Sequence, residues 1–145
     1  MEIFRLVFSL LLLSYACDSD IRKRNVFNSV WVIMMAMGII FAGYNVVTHG
    51  VSYLISLVFS ITIITAVSYI FFRMRFFGGA DVKALICLAV IFPSQPVFTI
   101  LSYHFPLVET PVPVFFPFTL TVIMNAAVFA LVVPISLLIR NLFSL

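Results

Sequence analysis

VSYLISLVFSITIITAVSYIFF, residues 51–72, carries no charged side chain from end to end. A segment of that length and polarity is a membrane helix. It reaches the roughly 20 residues needed to cross a bilayer's hydrocarbon core, and it lacks the period-2 alternation of a barrel strand. Only a helix satisfies its own backbone hydrogen bonds in lipid. The composition agrees: 64% of the 145 residues are hydrophobic and 9% are charged, against about 25% charged in a typical soluble domain. The mean hydropathy is +1.27. The expected class is an all-α, polytopic integral membrane helical bundle formed as a single membrane-embedded domain over residues 1–145.

Working outward, Thr48-His49-Gly50 forms a tight polar connection to an earlier apolar run from about Phe27 to Val47, which contains Gly38 and Gly43. A first run from Ile3 to Ala16, with Arg5 near its start, imitates a secretory signal peptide. It has no evident small-x-small cleavage site and leads directly into the charged stretch Asp18–Asn25, so a retained first helix is expected. Beyond Arg73-Met74-Arg75 and Phe77-Gly78-Gly79-Ala80, a fourth segment is apolar from Val82 through Phe92. It either continues through Pro93 and Pro96 with a kink or stops short inside the protein. An aromatic connection with Pro106, Pro111, Pro113 and Pro117, and with His104 and Glu109, precedes a last helix from about Phe118 to Ile139, bent at Pro134. About five transmembrane helices are therefore expected.

Basic residues set the expected orientation. Arg22, Lys23, Arg24, Arg73, Arg75, Lys83 and Arg140 fall on one side if the spans alternate, leaving Arg5 opposite. The positive-inside rule then puts the N-terminus outside and the C-terminus in the cytoplasm. The net charge of +3 is read as this orientation signal and not as a nucleic-acid footprint. The basic loops are expected to meet anionic lipid headgroups. Cys17 and Cys87 lie in or beside apolar runs and read as small buried hydrophobes rather than a disulfide or metal site.

The chain has five acidic residues: Glu2, Asp18, Asp20, Asp81 and Glu109. Alternation returns Asp18, Asp20 and Asp81 to the same membrane face and leaves Glu2, Glu109, His49 and His104 on the other. Two carboxyl groups a few ångströms apart cannot easily both ionise. Such a pair can hold a water, deprotonate it and protonate a leaving amine, which is aspartic protease chemistry. The plainer reading is that these acids cap helices and pair with neighbouring arginines. Gly78 and Gly79 would let the backbone leave helical geometry or let another segment come close, whereas a plain reverse turn with Asp81 as cap explains them equally well. Lys83 either tunes Asp81 or, as the more ordinary role, snorkels to the headgroups.

Two motifs shift that balance. Asp20-Ile21-Arg22-Lys23-Arg24-Asn25-Val26-Phe27-Asn28, followed by Trp31, resembles the first catalytic motif of type IV prepilin peptidases: an aspartate, an aliphatic residue six positions later and Asn or Asp eight positions later. Gly78-Gly79-Ala80-Asp81-Val82-Lys83 resembles their second, the GxGD signature of membrane aspartyl proteases, with Ala80 where the strict pattern has glycine. The likeness is nearer to the archaeal preflagellin (archaellin) and prepilin peptidases, and it extends to Pro117, Asn125, Pro134 and Arg140-Asn141.

The resemblance implies Asp20 and Asp81 as the catalytic pair. Gly78, Gly79, Ala80, Lys83 and Asn28 support the motifs, and Asp18 is a bystander. It implies no cofactor and no metal, prepilin or preflagellin precursors as partners, and an active site on the cytoplasmic face of the cell membrane. No four-cysteine zinc motif is present, so the methyltransferase activity of bifunctional bacterial members is not implied. Members often have six spans, so a chain with about five is expected to be either a compact member or one lacking the closing helix. Rival expectations are a small transporter or channel subunit using the carboxylates as a relay, and an inactive scaffold of a pilus or secretion assembly.

Overall fold

The computed structural model describes residues 2–100, 103–105 and 116–143. Its elements in chain order are α1 (Glu2–Lys23), α2 (Asn28–His49), α3 (Val51–Arg73), α4 (Gly79–Ile91), β1 (Phe98–Ile100), β2 (Tyr103–Phe105), α5 (Phe118–Ala130) and α6 (Val132–Phe143). The two strands form a small antiparallel hairpin with Thr99 opposite His104. The proline-rich connection, with Glu109, falls at 106–115 and lies outside the described residues.

The bundle is organised around α4. Its residues Leu85 and Cys87 to Ile91 are buried, the pattern of a helix apolar on every side and enclosed by others. Ala16 of α1, Trp31 and Met34 of α2, and Cys87, Leu88 and Ile91 of α4 form one core cluster, with Phe118 of α5 packed against it. A second cluster joins Ile64 of α3 to Leu85 and Ala89 of α4.

Lipid offers no hydrophobic drive for helix association, so small residues decide how closely the backbones approach. The buried face of α3 is Ser56, Ser60, Ile64 and Ser68, repeating every fourth residue, while Leu54, Ile55, Val58 and Phe59 point outward. The Ser60 hydroxyl reaches the Ala89 carbonyl of α4 at 3.5 Å. On the other flank, a Cβ at Gly38 of α2 would stand 3.1 Å from both Val90 and Ile91.

The helix boundaries have local causes. α1 runs past the apolar stretch ending at Ala16 because Arg22 pairs with Asp18 at 2.8 Å, one turn away. Arg22 and Lys23 also favour the negative end of the helix. The connection at Thr48-His49-Gly50 turns through Gly50, whose φ of 69° is left-handed and suits glycine. α4 stops at Ile91, because Phe92 precedes Pro93 and is displaced from helical backbone to φ −127° and ψ 79°. The break in the last helix comes at Leu131, earlier than the bend expected at Pro134. Pro134 has no N–H for the Ala130 carbonyl, and its ring crowds that carbonyl.

Among the described residues, three segments are long and apolar enough to cross a membrane: α2, α3 and the α5–α6 stretch Phe118–Phe143. α1 carries charges at both ends. α4, at 13 residues, rises only about 20 Å. α1 to α4 alternate in direction, so Glu2, Arg5, Asn45, His49 and Tyr53 meet the residues following α4 at one end, around a 360 Å³ cavity.

There, buried Arg5 bridges α1 to α4. Its guanidinium donates to the Ile91 carbonyl and to Glu2 and lies 5.6 Å and 5.2 Å from the ring centres of Phe41 and Phe92.

Three variants test this packing by unfolding in detergent. Gly38→Val should lose about 1–3 kcal/mol through overpacking. Gly43→Ala, whose added carbon meets nothing within 4 Å, should be neutral or gain up to about 1 kcal/mol. Arg5→Ala should cost on the order of 2 kcal/mol, because it strands the Ile91 carbonyl and removes a charge-assisted bond.

Candidate active site

At the opposite end of the bundle, both sequence motifs face one cavity. α1 ends just past Asp20. Arg24 turns the chain with a left-handed φ of 48°, and its amide donates to the Asp20 carbonyl at 2.8 Å. The Ser19 hydroxyl donates to the Asn25 carbonyl at 2.9 Å. These two bonds close a compact reversal, after which α2 begins at Asn28. The reversal brings Asp20, Arg24, Asn25 and Asn28 to one side.

Asp18 takes a different path. Its Oδ1 accepts from the Arg22 Nε at 2.8 Å on an exposed face of α1, and it is not among the residues lining the cavity.

The second motif is the start of α4. Gly78 is the residue before the helix, and its N–H donates to Asp81 Oδ2 at 2.8 Å. That bond is half of a capping box, with Asp81 at the third helical position. The carboxylate also lies at the positive end of the helix dipole. So the capping role is realised, and the same side chain lines the cavity.

Neither glycine of the motif has positive φ, so their service here is spatial. A Cβ on Gly78 would press to 3.2 Å from Asp81 Oδ2, whereas one on Gly79 would meet nothing within 4 Å. Ala80 packs inward against the core cluster, which accounts for a small residue before Asp81.

Lys83 joins the motifs. Its Nζ donates to Asn28 Oδ1 at 2.7 Å, tying α4 to the start of α2. The resulting cavity, about 390 Å³, is lined by Asp20, Asn28, Gly78, Gly79, Ala80, Asp81 and Lys83. All seven residues singled out in the sequence are therefore together. Arg24, Asn25, Val26 and Trp31 complete the lining. Arg24 and Asn25 carried no motif signal of their own, although both lie inside the first motif's span. The Lys83–Asn28 bond spans two motifs far apart in sequence, and nothing in either motif announces it. Chemically, the arrangement offers two carboxylates, two cations and two amides around a water-sized or larger space, with an apolar wall at Trp31.

Comparison with known proteins gives a consistent picture. The Type IV leader peptidase family matches over residues 7–135. A protein named prepilin peptidase EppA from Methanothermobacter thermautotrophicus is 29% identical over 126 residues, which is 86% of this chain and 32% of that protein. Two proteins named preflagellin peptidase are also similar. The one from Methanocaldococcus jannaschii is 26% identical over 84% of this chain and 51% of its own length. The one from Methanococcus voltae is 31% identical over 92% of this chain and 56% of its own length. The chain thus spans from a third to a little over half of the relatives it matches. No solved structure matches it significantly. With residues 7–135 inside the family match, this protein belongs to the type IV leader peptidase family.

Proposed function

We propose that this chain is the membrane-embedded body of an aspartic endopeptidase that removes the short leader of prepilin-like or preflagellin-like precursors, with Asp20 and Asp81 as its acid–base pair. One observation carries the proposal: aspartates from two separate motifs line the same cavity, while the nearby Asp18 is paired with Arg22 away from it. The names of the similar archaeal proteins support the substrate class.

In this reading, a water held between the carboxyl groups gives its proton to one of them as its oxygen attacks the scissile carbonyl. The other donates a proton to the developing oxyanion. Collapse of the tetrahedral intermediate breaks the C–N bond, and the amine leaves with a proton from the pair. The Lys83–Asn28 bond holds α2 and α4 at fixed separation around the reacting atoms, and the space beside Gly79 admits the peptide. The basic end of the bundle is assigned to the cytoplasmic face of the cell membrane, against anionic headgroups.

With precursor in membranes, Asp20→Asn and Asp81→Asn should each lose about 10²–10⁴-fold in cleavage rate, while Asp18→Asn keeps the wild-type rate. Wild-type turnover by either of the first two would end the assignment. For the orientation, Cys17 and Cys87 are replaced by serine and single cysteines introduced as Arg75→Cys and His49→Cys. A membrane-impermeant maleimide should label the first only in inside-out vesicles and the second only in right-side-out ones.

A further inference from the structure

The carboxylate cavity adjoins two apolar spaces. On the α2 side, a 680 Å³ groove runs past Val32, Met35, Ile39 and Ile86 and shares Asn28, Trp31 and Lys83 with the cavity. Its shared polar side chains are bonded to each other, and neither carboxylate lines it.

On the α5 side, a 660 Å³ fissure lies between α1, the end of α3 and the loop after it, α4 and α5, and here the shared residue is Asp81 itself. Every other residue lining the fissure is apolar, among them Phe77, Ala84, Leu88, Val122 and Ala126. The start of α5 packs beside the end of α4, where Phe118 meets Phe92, the residue after that helix, with ring centres 5.6 Å apart. Farther along, alanines on both helices leave the gap unfilled. Asp81 thus stands where a polar chamber gives way to an apolar one.

Resting on the peptidase reading above, we infer that this fissure seats the apolar side chains that directly follow the scissile bond of the precursor, leaving the leader in the polar cavity. The occupant is an apolar polypeptide segment because the fissure opens on a group that acts on peptide bonds, and its remaining walls offer no hydrogen-bonding or charged side chain. The site would then recognise a step in polarity along the substrate, with Ala84 and Ala126 setting how large the following side chains can be.

The test places photoreactive benzoylphenylalanine at Ala126 in the full chain carrying Asp20→Asn, with precursor present in the same membranes. The expected adduct maps to the apolar residues immediately after the cleavage site, and the same probe at Ile39 gives none. An adduct with precursor at Ile39 instead, or adducts at Ala126 only with lipid or a second copy of the chain, overturns the inference.

As a kinetic arm, Ala126→Trp and the milder Ala126→Leu should raise KM for the precursor, the former by at least about tenfold, with kcat much less changed. Unfolding in detergent checks that both variants are folded. If wild type cleaves, Asp81→Asn does not, and both Ala126 variants keep the wild-type KM, the fissure assignment fails while the aspartate pair stands. If Asp81→Asn cleaves normally, the underlying reading fails instead.

Discussion

A short apolar helix in a membrane bundle leaves free backbone groups at both ends, and lipid supplies no hydrogen bonds for them. α4 meets this demand with two charged side chains. Asp81 takes the Gly78 amide at the start, and Arg5, arriving from α1, takes the Ile91 carbonyl at the finish. The surrounding helices are built to let that core helix be enclosed. α3 turns a serine-rich stripe inward, α2 offers Gly38, and α4 itself contributes Ala89. Bulky apolar residues go outward, so the usual soluble pattern of polar outside and apolar inside is relaxed.

This arrangement makes the capping bond of Asp81 compatible with the catalytic role proposed for it. The bond to Gly78 fixes the carboxylate at the mouth of α4, which is also the rim of the cavity it shares with Asp20. A rigid helix end is a better platform for chemistry than a mobile loop. Glycine at 78 serves that fixation, since a larger residue would crowd the oxygen it holds.

Much of this was legible in the residues. α2 and α3 follow their apolar runs to within about two residues of the expected ends, because uninterrupted hydrophobicity leaves little choice in lipid. The choice of Asp20 over Asp18 followed from motif spacing, and the structure brings Asp20 and not Asp18 to the cavity. Other features were not legible because they depend on tertiary partners. Arg5 read as a stray charge on the outer side, and its partners on α2 and after α4 lie far away in sequence. The inward role of Ser60 depends on the Ala89 carbonyl of α4, which lies far along the chain. α1 outruns its apolar segment with the Arg22–Asp18 pair and basic residues at its last turn. The end of α4 at Pro93 was an open alternative that local backbone sterics decided.

The shortness of α4 also bears on the membrane around it. From Asp81 to the carbonyl that Arg5 holds is ten helical steps, about 15 Å, whereas an ordinary hydrocarbon slab is about 30 Å thick. α2 and α3, at 22 and 23 residues, match the full slab. α4 begins level with α2, where Lys83 meets Asn28, and stops level with Phe41, so the shortfall falls at the Arg5 end. The cavity lined by Asn45, His49, Tyr53 and the residues after α4 takes it up, which leaves a polar recess within the depth that the two long helices span.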